Sequence, residues 1–200
     1  MRNCILLAIT LIALSCSSKK ETPVKIGAKY QGGKVFYILQ KGDTGYNENE
    51  IHGLIISDVF SNAAWAPDNH MNTITETNND GLFAGKTNTK NLVKAFGNGG
   101  YAAKICDELV VDNFDDWYLP SKYELNLFQS RIGLMYPEID DFNKVWNEEL
   151  WTSTTIVDTT DKKSKNKTNI CGERVYCQYL ISGEEVRYSS RNRYYAIRSF

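Results

Sequence analysis

Surplus charge of one sign is missing from this chain: 23 Lys and Arg stand against 24 Asp and Glu. No global field therefore draws it to nucleic acid or to an anionic bilayer, and no nucleic-acid partner is expected. Histidine is scarce. His52 and His70 are the two present, and with the cysteines they show no paired ligand spacing, which argues against a zinc site. Neither a metal nor another cofactor is expected. The longest apolar run, Ile5 to Leu14, has ten residues, too few to span a bilayer. No internal repeat, collagen period or heptad run occurs. There is also no nucleophile elbow, phosphate loop or Ser-His-Asp ordering. The adjacent acids Asp115/Asp116 and Asp140/Asp141 point in different directions and do not by themselves make an acid–base dyad. These absences argue against an enzyme.

What is present begins at the N-terminus. "MRNCILLAITLIALSCSSKKE" carries one early positive charge, a short apolar stretch, and then Ser15-Cys16 followed by polar residues. That order suits a secretory signal. The run Ala13-Leu14-Ser15-Cys16 resembles the lipobox of a bacterial lipoprotein, which implies cleavage before Cys16 and acylation of its thiol. Residues 1–15 then read as signal peptide, 16–25 as tether and 26–200 as the folded domain. Two or three acyl chains, at about 0.8 kcal/mol per buried methylene, would hold the chain on a membrane. The expected location is the bacterial cell envelope, as an outer-membrane lipoprotein facing the periplasm or the surface. Export implies an oxidising compartment. Cys171 and Cys177, on a glycine-containing turn, are close enough to close a small loop, while Cys106 reads as a buried thiol on an amphipathic helix.

Local patterns predict strands at "KVFYILQ" (34–40) and "GLIISDV" (53–59), where β-branched and aromatic runs are bounded by turn residues. The polar stretch between them contains acids but lacks calcium-loop spacing and reads as a hairpin connection. Residues 60–88, rich in Asn, Thr and Gly, predict a long irregular loop. A short helix closed by Gly97 follows, then a second with Ala102, Ile105, Cys106 and Leu109 on one face. Strand patterns return at "LWTSTTIV", "RVYCQYLI", "EEVRYSS" and "RYYAIRSF", with a turn at Ser182-Gly183. Strands at both ends with helices between them predict an α+β domain of antiparallel strands and two main helices.

The densest stretch is "NFDDWYLPSKYELNLF", 113–128. Ser121 with Glu124 three residues later forms an S-x-x-E capping box, and Leu125, Phe128 and Ile132 recur at helical spacing behind it. Pro120 keeps the lead-in extended. Trp117 and Leu119 alternate with Tyr118, so Trp117 is expected in the core. Asp115 and Asp116 are left as either a solvated turn or ligand-binding residues.

Taken in order, "IGAKYQGGKVFYIL", "HGLIISD", "AAKICDELVVDNFDDWYLPSKYELNLF", "LWTST" and "YYAIRSF" resemble the landmarks of the Lcl C-terminal domain family, named for the end domain of a collagen-like adhesin. The resemblance spans about Ile26 to Phe200. It implies a compact α+β fold similar to the C-type-lectin-like fold, and adhesion or glycan binding as function. The adhesin's domain is linked to sulfated glycosaminoglycans; this chain has no G-X-Y stalk and no "EPN" or "QPD" calcium tripeptide. Some relatives carry a cysteine near the terminal strand, where this chain has Ala196, leaving Cys106 without that partner.

The reading that follows is a membrane-anchored binding or adhesion module for a glycan or another anionic surface polymer. Its candidate ligand residues are Arg187, Tyr188, Arg191 and Arg193, with Asp115 and Asp116 as further candidates. Arg and Tyr can fork onto sulfate or carboxylate and stack on sugar rings. The alternatives are a structural envelope lipoprotein without a small-molecule ligand, and behind it a hydrolase.

Overall fold

The computed structural model describes residues 23–67, 75–139, 149–157, 173–179 and 191–200. Its chain order is β1 (Lys29–Tyr30), β2 (Gly33–Ile38), β3 (Gly53–Ala63), α1 (Ala84–Phe96), α2 (Ala102–Asp107), α3 (Lys122–Gln129), α4 (Ile132–Met135), β4 (Glu149–Val157), β5 (Glu173–Tyr179) and β6 (Asn192–Ser199). The fold is α+β, with one mostly antiparallel sheet in the order β1-β2-β3-β6-β4-β5. The exception is the short parallel contact of β4 with β6 at Leu150↔Arg193.

Alternation along the strands gives this sheet two apolar faces. Val35, Ile55, Tyr194 and Ala196 point to one side, where Leu92 and Phe96 of α1 and Ala102, Ala103 and Cys106 of α2 cover them. Phe36, Leu54, Ile56 and Ile197 point to the other, against Leu125 and Phe128 of α3 and Ile132 and Met135 of α4. Three buried tryptophans keep their indole N–H groups paired, as burial requires. Trp65 donates to Thr152 O, Trp151 to Ala63 O and Trp117 to Phe114 O, at 2.8–3.0 Å.

Several expectations shift. β3 continues through Asn62 and Ala63, inside the stretch read as loop. After an irregularity between Ile56 and Phe60 it pairs Phe60–Ala63 with Tyr195–Asn192, so long-range pairing overrides weak local propensity. α1 likewise starts at Ala84, burying Gly85, Asn88 and Thr89. Gly97 does close it, at φ 68° and with its N–H on Val93 O. α2 stops at Asp107; its buried face is Ala102, Ala103 and Cys106, and Ile105 and Leu109 are only partly covered. There are four helices rather than two main ones among the described residues. "EEVRYSS" and the Ser182-Gly183 turn lie outside those residues.

The lead-in to α3 is buried on both sides, not on one. Trp117 and Leu119 enter the first core and Tyr118 the second. The segment lies along the edge of β6 not taken by β3, exchanging Tyr118 N–H→Ile197 O (2.8 Å) and Ile197 N–H→Tyr118 O (2.9 Å). β4 locks its far end: Ser153 N–H donates to Pro120 O at 2.8 Å, and Lys122 N–H donates to Thr154 Oγ1 at 3.0 Å. This explains why the "TSTT" of β4 is buried though polar. The Ser153 and Thr154 hydroxyls donate to Pro120 O and Asn79 O, and Thr155 bonds Thr77 through both its N–H and its hydroxyl.

Candidate functional site

Two tight turns lie side by side at the surface. Tyr30 pairs with Gly33 across Gln31 (φ 45°) and Gly32 (φ 88°). Val111 and Phe114 exchange both backbone hydrogen bonds, at 3.0 and 2.9 Å, across Asp112 (φ 51°) and Asn113 (φ 67°). Positive φ at both central residues is the signature of a two-residue type I′ hairpin turn. Glycine eases that geometry at 32, and Asp and Asn tolerate it at 112 and 113. The turns abut: a Cβ on Gly32 would stand 3.0 Å from Val111 O and 3.2 Å from the Trp117 ring.

Arg198 fastens the two together. From β6 its Nε donates to Asp116 Oδ1 at 2.5 Å and its Nη2 to Asp116 Oδ2 at 3.3 Å, a forked pair. Its Nη1 donates to Gln31 Oε1 at 2.5 Å, on the first turn. The guanidinium also lies 4.1 Å from the ring centroid of Phe114, on the second turn. Only 8% of the Arg198 side chain is exposed. The cation is thus buried by aromatic and turn residues and neutralised by one carboxylate.

Beside this clamp lies a groove of about 340 Å³, lined by Lys29, Tyr30, Gln31, Gly32, Gly33, Asp58, Val59, Val111 and Asp112. Its apolar wall is Tyr30, Val59 and Val111; Val59 is half exposed, and Tyr30 is held edge-on to Phe200 with ring centroids 5.1 Å apart. Lys29 Nζ stands 3.6 Å from Asp58 Oδ2 in an exposed pair. Neither histidine nor cysteine lines it.

The sequence-derived candidates do not form one site. Asp115 is exposed, whereas the Asp116 carboxylate is committed to Arg198. Arg191 is exposed, with Nη2 3.5 Å from Asn62 O, and Arg193 is partly buried opposite Asn62 and Leu150. Arg193 stands near the start of β6 and Arg191 just before it, whereas Arg198 lies near its end, about 17 Å from Arg193 at the usual rise of a strand. Arg187, Tyr188, Cys16 and Cys171 lie outside the described residues. Cys177 lies opposite Trp151 in the β4–β5 register, and its side chain lies outside them. Cys106 is fully buried, and burial pushes its thiol well above the usual range. His52 approaches Phe200 O at 3.1 Å through Nδ1 and Glu50 at 3.3 Å through Nε2; His70 is not among the described residues.

The acids of the 41–50 connection are partly structural: Asp43 accepts from Tyr37 Oη and Gln40 N–H, both at 2.7 Å. Burial and that bond raise the Tyr37 phenol to about 12. Among the described residues no cluster of three or more His, Cys, Asp or Glu is placed to hold a metal. Nor is any helix there long and apolar enough to cross a membrane.

Sequence reasoning missed Gln31, Asp112 and Arg198. The turn dipeptides Gln31-Gly32 and Asp112-Asn113 between apolar or aromatic residues were a usable signal. Nothing local announces that Arg198 would meet both. No family model matches the chain, and no curated protein matches it.

Proposed function

We propose that this chain is an envelope-anchored binding module, held on the outer membrane by acylated Cys16 and presenting a glycan-binding domain with a C-type-lectin-like fold of the Lcl C-terminal kind. The observation that carries the binding reading is the preformed groove between two hairpin turns, with an apolar wall and polar rim. A volume of about 340 Å³ falls at the small end of the range for ligand pockets. Arg198 ties the two turns to β6 through Gln31, Phe114 and Asp116, which holds that side of the groove in place. Preorganised walls reduce the ordering cost of binding.

The test has two arms. Cys16→Ala should abolish incorporation of labelled fatty acid and shift the protein to the soluble fraction; unchanged detergent partitioning overturns the anchor. A glycan array probed with the full chain in detergent should give saturable signals for a defined set of sugars. Silence across the array would favour a structural envelope lipoprotein.

A further inference from the structure

The geometry points to the groove between the Gln31-Gly32 and Asp112-Asn113 turns as the seat for a single neutral or amino-substituted pyranose unit, with Asp112 accepting from its hydroxyl or ammonium groups. This rests on the glycan-binding reading and narrows it to one place and one charge class.

The lining supplies what such a ring needs. A pyranose has an apolar face of C–H groups and a rim of hydroxyls, and the groove offers Tyr30, Val59 and Val111 against Lys29, Gln31, Asp58 and Asp112. Val59 is 50% exposed, an apolar side chain kept in water on the irregular stretch of β3 between Ile56 and Phe60. The Oε1 of Gln31 is already taken by Arg198, and Lys29 and Asp58 face one another. Asp112 is the exposed acceptor left over, fixed at the tip of its turn by the Val111–Phe114 hydrogen bonds. With two carboxylates against one ammonium, the lining disfavours a uronate or sulfated sugar and favours a neutral or cationic one. The preference is opposite to that of the arginine-bearing start of β6, so the two surfaces can be told apart by ligand charge.

Positive φ at 112 also provides a clean variant. Asparagine tolerates the left-handed region as aspartate does, so Asp112→Asn removes charge while the turn keeps its shape. Val59→Lys would place a flexible cation over the apolar wall from an exposed position.

The full chain in detergent would be titrated by calorimetry and amide chemical-shift mapping with the methyl glycosides of glucose, glucosamine and glucuronic acid, and with lysine methyl ester. Expected are millimolar binding of the first two, at least fivefold weaker binding of the glucuronide, and shifts centred on residues 29–33, 58–59 and 110–113. Asp112→Asn should weaken glucosamine binding at least fivefold, and Val59→Lys should abolish binding of both, each at unchanged Tm. If glycosides bind but ignore both variants, or the array signals respond only to Arg191→Ala and Arg193→Ala, the groove assignment is wrong while the glycan-binding reading stands. If lysine ester alone binds, the seat is for an amine and not a sugar. No binding in titration or array overturns both.

Discussion

The carboxylate of Glu124, in the first turn of α3, accepts a hydrogen bond from the backbone N–H of Gly85 in α1 at 3.1 Å. The same side chain accepts from Phe83 N–H (2.9 Å), from Ser121 N–H (2.8 Å) and from Tyr118 Oη (2.9 Å). It is fully buried with no cation among those four donors. The capping box of α3 therefore also caps α1, which has no side-chain cap of its own at Phe83. Orphan amides at two helix starts and two positive helix ends converge on one negative charge.

Gly85→Ala tests the closeness of that junction. A Cβ there would stand 2.5 Å from Glu124 Oε2 and 2.7 Å from both Leu119 O and Ser121 N. Alanine normally favours a helix interior by about 1 kcal/mol over glycine. Here overpacking should win and destabilise by about 1–3 kcal/mol. A urea midpoint that rises, at unchanged slope, would contradict the shared cap.

Ser121→Ala should cost about 1–2 kcal/mol, the upper part of the usual N-cap range. Its hydroxyl accepts from Glu124 N–H at 3.2 Å and also donates to Gly81 O at 2.9 Å, so two bonds vanish from a buried position. An unchanged denaturation midpoint would sink this account.

The titration of Glu124 has a definite sign. Burial raises its pKa above the ordinary glutamate value, and the hydrogen bonds from Ser121, Tyr118 and Phe83 oppose the rise. A folded-state pKa above the unfolded one means that the native chain holds its proton longer. The stabilising contribution of this group is then complete below the unfolded pKa and is lost as pH rises through the folded one. Carboxyl carbon-13 shifts should show Glu124 titrating above the exposed glutamates. A midpoint below theirs would mean that the four donors outweigh desolvation.

Asp115 and Asp116, adjacent in sequence, should differ sharply. Asp116→Ala leaves the buried Arg198 without its counter-ion and should cost about 3 kcal/mol, the low end for such a break because Asp116 keeps 35% of its side chain exposed. Asp115→Ala, at an exposed position, should stay within about 0.5 kcal/mol. Equal effects in thermal unfolding would remove the clamp from Arg198.

Cysteine mapping separates two thiol environments. Cys106 should resist maleimide in the native protein and react on unfolding, since it is wholly buried. Non-reduced peptide maps of protein prepared under oxidising conditions should find Cys171 joined to Cys177; a bridge from Cys106 to either would overturn that pairing.

The α+β composition, the α3 start at Ser121 and the strands around 34–38 and 53–57 follow from nearest neighbours in sequence. An S-x-x-E spacing bonds within one turn, and β-branched runs between turn residues need only local sterics to favour extension. The extension of β3 to Ala63 and the start of α1 at Ala84 do not, because their partners are Asn192–Tyr195 and Glu124, far along the chain. Asp116 is the sharpest case. By itself "DDW" fits a solvated turn or a ligand site, and only the folding of β6 beside residues 116–118 brings the Arg198 guanidinium to that carboxylate. A charge in water has no assigned partner; burial of its counter-ion, 82 residues away in sequence, gives it one.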